Sequence, residues 1–224
     1  MRILRTLSHF IFYHAYVRWK ISRTDRVTVC GFPLMVPKTV FQPSLYLTSR
    51  YFGQFIAGLN LKEKRGLDVG SGSGVLSIAA ASRGARMVAL DVNPAAIDAT
   101  MENARSNGFG GQIVPVCSDL FANLSPMHRN FDFILCNPPY YLGKAADVAE
   151  RAWRGGPEHE FLQRLAVESA AYLRRDGSIY FILSTDIDVD RILAQFHGAG
   201  YGTTLVSRKR FLFESLLIFQ AILR

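Results

Sequence analysis

From residue 66 onward, short apolar runs alternate with longer segments of mixed character. "RGLDVG", "RMVALDV", "QIVPVCS", "FDFILCN", "SIYFILST", "YGTTLVSRKR" and "ESLLIFQAIL" are rich in β-branched and aromatic residues and bounded by Gly, Asn, Asp or Ser. Each predicts a strand. "GVLSIAAASRG", "NPAAIDATMENARSNG", "PEHEFLQRLAVESAAYLRRDG" and "DIDVDRILAQFHGAG" predict helices. Asn93 reads as an N-cap, Pro94 as the first helical residue and Asp176-Gly177 as a helix stop. Alternating strands and helices predict an α/β fold with a seven-stranded, mostly parallel sheet and helices on both faces. Only "RFLFE" joins the last two strands, too little for a parallel crossover, so the last strand is expected to run antiparallel.

The segment before residue 66 has a different beat. "VTVCGFPLMVPK" alternates around a GFP break and predicts a hairpin. "QPSLYLTSRYFGQFIAGL" predicts a helix with Leu45, Tyr46, Phe52, Phe55 and Ile56 toward the core. In residues 1–26, Ile3, Leu7, Phe10, His14, Val17 and Ile21 recur at helical spacing among Arg and Lys. That stretch reads as a helix packed on the domain, or as a basic face for RNA, a protein partner or a membrane surface. The expected organisation is a basic, aromatic extension over 1–40 (helix plus hairpin) and one catalytic-sized domain over 41–224.

Composition narrows this little. The 224 residues are 49% hydrophobic and 20% charged, enough for one domain with a real core. The net charge of +8 favours anionic partners such as RNA or a ribosomal assembly. Three widely spaced cysteines suggest neither a disulfide framework nor a metal site, and point to a reducing cytoplasm. Cys117 and Cys136 sit in apolar runs and read as core. No segment is long and apolar enough to span a bilayer.

The candidate chemistry gathers where the strands end. "LDVGSGSG" follows the first strand of the alternating region and opens a helix, so Gly70, Gly72 and Gly74 allow close backbone approach to a ligand. A dinucleotide fingerprint would need glycine where Val75 stands. Asp68 instead suits a cationic amino group. Asp91, at the next strand end, suits two ribose hydroxyls. Asp119 and Leu120, in "CSDLF", suit an adenine amine and its ring. S-adenosylmethionine carries all three groups. After the fourth strand comes "NPPYY". There the Asn137 side-chain carbonyl and the Pro138 backbone carbonyl can each accept one N–H of a planar nitrogen. Proline fixes its own φ, and Tyr140 can stack on a flat acceptor.

With these motifs the chain resembles the class I S-adenosylmethionine-dependent methyltransferases with a Rossmann-like fold. Within them it is most similar to the release-factor glutamine methyltransferases (HemK/PrmC-like). "DVGSGSG", "LDVN", "CSDLF", "CNPPYY" and "AWRGGPEHEFLQRL" carry the resemblance over roughly residues 38–224. It implies that Asp68, Gly70, Ser71, Gly72, Ser73 and Gly74 line the methionine part of the cofactor. By the same resemblance Asp91 holds the ribose, Asp119 and Leu120 hold the adenine, and Asn137, Pro138, Pro139 and Tyr140 hold the acceptor at the methyl end. No metal is implied.

The family's acidic residues before the first strand are replaced here by Leu45 and Tyr46, and with about forty residues before the core its separate N-terminal helical domain is not expected. Three acceptors therefore stay open. They are a protein glutamine amide, a nucleic-acid base amine (adenine N6 or guanine N2), and a small molecule at a membrane surface contacted through residues 1–26.

Overall fold

The computed structural model describes residues 24–125, 129–148, 150–212 and 214–224. In chain order its elements are β1 (Asp25–Val29), β2 (Phe32–Val36), α1 (Leu47–Ala57), β3 (Arg65–Val69), α2 (Val75–Ala81), β4 (Arg86–Asp91) and α3 (Pro94–Ser106). Then follow β5 (Ile113–Cys117), β6 (Phe131–Cys136), α4 (Glu160–Glu168), β7 (Leu173–Ser184), α5 (Val189–Gly198), β8 (Tyr201–Arg210) and β9 (Ser215–Leu223). The extension helix expected over residues 1–26 lies almost wholly outside the described residues.

Among the described residues seven strands form one sheet in the order β5-β4-β3-β6-β7-β9-β8. Neighbours pair parallel from β5 through β7, while β9 is antiparallel to both β7 and β8. This is the expected α/β architecture, with the expected antiparallel last strand. The chain builds outward from β3 to β5, then crosses back to place β6 on the other side of β3. The β3 and β6 ends therefore lie side by side, with Val69 opposite Cys136, and the crevice of such a switch point opens just beyond them.

Side chains alternate across the strands, which makes two apolar layers. Met87, Ala89, Phe133 and Leu135 face a layer shared with α1, α2 and the β1–β2 hairpin. Leu67, Val69, Ile134 and Cys136 face the opposite layer with α4 and α5. The hairpin contributes Val29, Leu34 and Val36 to the first layer. It is tied down by Asn103 of α3, which accepts from the Met35 N–H (2.7 Å) and donates to the Met35 carbonyl (2.9 Å).

Local signals decide the element ends. Asn93 caps α3 by accepting from the Ala95 N–H at 3.0 Å, and Pro94 opens the helix as expected. The hairpin turns one step earlier than the expected GFP break. Cys30 and Gly31 have φ of 54° and 85°, and Phe32 and Pro33 already pair with β1. The "PEHEFLQRLAVESAAYLRRDG" segment is helical only over Glu160–Glu168, followed by a 3-10 turn. Leu173 already pairs with Phe131, and Asp176-Gly177 lie in an excursion before Ser178 resumes pairing with Phe133.

Burial also corrects three expected core residues. Cys136 is buried but Cys117 is exposed, because it ends the edge strand β5. Leu45 and Tyr46 are only half-buried and precede α1, whose buried face is Thr48, Ser49, Phe52, Gly53 and Ile56.

Candidate active site

A cavity of about 480 Å³ opens at the carboxyl edge of the sheet. That volume lies within the roughly 300–1,000 Å³ typical of small-molecule sites. Its floor is the turn after β3, with Asp91 at the end of β4, Asp119 and Leu120 after β5, and Asn137 to Tyr141 after β6. Residues 39–49 form one flank, and the segment from Lys144 to Arg164 covers the other. Gly70, Ser71, Gly72 and Ser73 all line it; Gly74 caps α2 behind them.

The glycine turn is held by strands and helices together. The Gly70 and Ser71 N–H groups both donate to the Leu90 carbonyl at 2.8 Å, and Gly74 N–H donates to the Ser71 carbonyl at 2.8 Å. Gly74 is left-handed, with φ of 80°, and a Cβ there would stand 3.0–3.1 Å from Thr100. Both the angle and the space demand glycine. Thr100 and Asn103 on α3 donate to the Gly72 and Ser73 carbonyls at 3.2 and 2.9 Å, which fixes the outer edge of the turn.

Asp68 does not line the cavity. It lies wholly buried beneath the turn, where its Oδ2 accepts from the Ser77 N–H (3.0 Å) and the Ser77 hydroxyl (2.7 Å). Its Oδ1 is buried without a partner. Burial pushes this carboxyl up to about 7, the Ser77 bonds offset that in part, and the Asp91 charge adds to it. Ser77, in the first turn of α2 where helix N–H groups lack partners, is the natural anchor for such a carboxylate.

Asp91 lines the cavity and braces the turn. It accepts from the Gly72 N–H and the Asn93 N–H, each at 2.9 Å. Burial raises its carboxyl, and these backbone donors offset part of the rise. Asp119 sits at the cavity rim between two arginines that sequence reasoning did not mark. Arg164 Nη1 is 2.8 Å from Oδ1 and Arg151 Nη1 is 3.3 Å from Oδ2. Next to it Leu120 is buried with φ of 49°. A left-handed branched residue of this kind costs roughly 1 kcal/mol and marks a turn built for its surroundings.

Asn137 stands at the other end. Its Nδ2 faces the hydroxyls of Thr48 (3.4 Å) and Ser49 (3.3 Å) in the first turn of α1. That orientation leaves Oδ1 as the side chain's acceptor. Tyr140 is mostly buried, and burial raises its phenol, with Tyr141 and Glu214 adding to the rise, so it stays protonated at neutral pH. The covering segment is stitched to this motif. Tyr141 N–H donates to the Trp153 carbonyl (3.0 Å), and Gly155 N–H donates to the Tyr141 carbonyl (2.9 Å). A Cβ on Gly155 would lie 2.1 Å from the Pro139 carbonyl oxygen, so only glycine fits there.

Thr48, Ser49, Ser77 and Gly155 thus join the residues expected from sequence. Two successive hydroxyls opening α1 and the GG pair at 155–156 were visible signals for some of them. Among the described residues, no group of three or more His, Cys, Asp or Glu could hold a metal ion, and no helix is long and apolar enough to cross a membrane.

The "Methyltransferase small domain" family model matches residues 53–211. The chain belongs to this methyltransferase family. A Methanocaldococcus jannaschii protein named "Putative protein N5-glutamine methyltransferase" is 30% identical over 169 residues, covering 73% of this chain and 83% of its own. Human methyltransferase HEMK2 is 34% identical over 153 residues, covering 64% and 71%. The E. cuniculi Mtq2–Trm112 complex, described as responsible for methylation of the eRF1 translation termination factor, matches with a TM-score of 0.64 at 19% identity. That match covers 83% of this chain and 99% of the other. The expected kinship with HemK/PrmC-like class I methyltransferases is therefore borne out.

Proposed function

We propose that this methyltransferase transfers a methyl group from S-adenosylmethionine to the side-chain nitrogen of a protein glutamine. The observation that carries the reading is Asn137, held by Thr48 and Ser49 with Oδ1 left as acceptor, beside the cavity that the glycine turn floors. The name of the M. jannaschii relative supports the glutamine acceptor, and the eRF1 substrate in the description of the Mtq2–Trm112 complex is in keeping with a protein acceptor.

The residues present fit the cofactor. A buried, unpartnered Asp68 Oδ1 beneath a left-handed glycine turn suits a nearby ammonium, and Asp91 and Leu120 line the same cavity. Gly70, Ser71, Gly72, Ser73 and Gly74 would hold the methionine part, Asp91 the ribose, and Asp119 with Leu120 the adenine. When bound, the sulfonium supplies an electrophilic methyl group. An amide nitrogen is a weak nucleophile because its lone pair is delocalised into the carbonyl. Asn137 Oδ1 and the Pro138 carbonyl would each accept one of its N–H groups, fixing its direction and favouring the pyramidal form. Pro139 and Tyr140 shape the wall behind it. Rate enhancement then comes from positioning and fixed dipoles.

The test is tritiated methyl transfer from S-adenosylmethionine into fractionated lysate. Label in protein that complete proteolytic digestion releases as N-methylated glutamine is the expected result. Label confined to RNA would replace the glutamine reading with a base methyltransferase.

A further inference from the structure

Three aromatic rings stand at the acceptor end of the cavity, and the transfer chemistry gives them no role. Phe41 follows β2, Tyr46 is the N-cap of α1, and Trp153 follows the 3-10 turn at Glu150–Ala152. Phe41 and Tyr46 stack with centroids 4.7 Å apart and planes at 26°. Trp153 leans on both, 5.5 Å from Phe41 and 6.0 Å from Tyr46. All three line the cavity. They connect to the acceptor motif through two segments. Tyr46 begins the helix whose Thr48 and Ser49 hold Asn137, and the Trp153 carbonyl accepts the Tyr141 N–H.

The spacing limits what the rings can hold. A flat heterocycle held between two rings needs them parallel and roughly 7 Å apart, twice a carbon–carbon contact of about 3.5 Å. These rings are closer than that and mostly tilted, so no such slot exists between them. They present one continuous apolar surface to the cavity. A surface of this kind suits a slim methylene chain that delivers a polar tip to Asn137.

We propose that Phe41, Tyr46 and Trp153 are the specificity-determining wall of the acceptor site. The two side-chain methylenes of a glutamine lie against it, which selects glutamine over the shorter asparagine. This rests on the glutamine reading above. One methylene in a fitted apolar site is worth about tenfold in discrimination. Trp153 is the informative member, because its hydrogen bond to Tyr141 runs through its own carbonyl and survives a side-chain change.

The test uses the purified full chain and eleven-residue peptides with one central glutamine or asparagine. Wild type is expected to prefer the glutamine peptide. Trp153→Ala should raise KM for it about tenfold, leave kcat within about threefold, and cut the glutamine-to-asparagine ratio about tenfold. Trp153→Phe should recover most of the loss, and S-adenosylmethionine affinity by calorimetry should stay within about twofold. A second readout does not depend on a variant of the wall. The chain has two tryptophans, so Trp19→Phe leaves Trp153 as the only tryptophan reporter. Its emission should shift on adding glutamine peptide in the presence of S-adenosylhomocysteine, and less on adding the asparagine peptide. If wild type methylates the glutamine peptide but Trp153→Ala and Tyr46→Ala leave KM and the ratio unchanged, or if the Trp153 emission ignores the peptide, the wall is overturned and the glutamine reading stands. If wild type methylates no glutamine peptide, both fall together.

Discussion

The two halves of the cavity are built differently. In the interior of the cofactor half the partners are nearer in sequence. Ser77 is nine residues from Asp68, Gly72 is 19 from Asp91, and Asn93 is two from Asp91. In the acceptor half Asn137 reaches back 89 residues to Thr48 and 88 to Ser49. The interior of the first half is shaped by strand ends, a glycine turn and helix N-termini that consecutive strand–helix units bring together. The second exists only once α1 and the covering segment have packed around β6. A site made this way can keep one cofactor half while its acceptor half changes with the flanking segments.

The largest effect should come from the centre of the acceptor half. Asn137→Ala removes the side-chain acceptor for the nitrogen and leaves the glycine turn untouched. We expect kcat to fall about a thousandfold, with cofactor affinity by calorimetry within about twofold. A variant that turns over like wild type would mean that Asn137 does not hold the nitrogen.

The next test concerns how the acceptor half is stitched together. Gly155→Ala places a Cβ 2.1 Å from the Pro139 carbonyl oxygen, and the obstacle is backbone, not a side chain that could rotate away. Residues 138–141 or 153–156 must then shift. A displacement of this order should lower kcat/KM about a hundredfold. Cofactor affinity should change little, since the glycine turn makes no contact with Gly155. An equal loss of cofactor binding would show that the two halves are coupled.

The contrast explains what could be read from the chain beforehand. All seven sheet strands were legible because each is a short apolar run with clear stops, and the antiparallel β9 followed from a link too short for a crossover. Asp91, Asp119 and Asn137 were legible because topology puts every parallel strand end at one edge. Cys117 misled because an apolar run does not reveal that its strand is the sheet's edge. The end of α4 misled because "SAAYLRRDG" keeps helical character, yet pairing of Leu173 with Phe131 takes that stretch into β7. Spacing alone puts Tyr46 in the core, yet it faces the cavity because α1 begins only after it. The Thr48 and Ser49 contacts, and the arginines on Asp119, depend on packing between distant segments, which no local pattern encodes.

A subtler effect should appear under the cofactor half. Asp68 titrates near 7 in the folded chain against an ordinary value of 3.8. The raised value means the folded state holds this proton longer than the unfolded state. Its contribution to stability is complete below about 4 and declines as pH rises through about 7, where the penalty levels off. Thermal midpoints measured from pH 5 to 8 should therefore fall with rising pH more steeply in wild type than in Asp68→Asn, whose amide can still accept from Ser77. An ammonium placed near Oδ1 would favour the ionised carboxylate. Cofactor binding should then strengthen from pH 6 to 8 and release protons to the buffer, and Asp68→Asn should remove that pH dependence. Identical pH profiles would place the ammonium elsewhere.

The smallest effect belongs to the rim of the same half. Arg164 joins Asp119 at 2.8 Å and Glu168 at 2.8 Å, but about half of each Arg164 and Asp119 side chain remains in solvent. Exposed pairs of this kind contribute about 0–1 kcal/mol, and salt weakens them further. Arg164→Gln should leave the thermal midpoint within about 2 °C. Arg151 still faces Asp119 at 3.3 Å, so the carboxylate keeps one partner in the variant. The expected change is a two- to threefold rise in the apparent KM for the cofactor at low salt, fading as ionic strength rises. A loss that persists in high salt, or that exceeds about tenfold, would mean that Arg164 touches a bound molecule directly. The rim of the cofactor half would then belong to its binding surface.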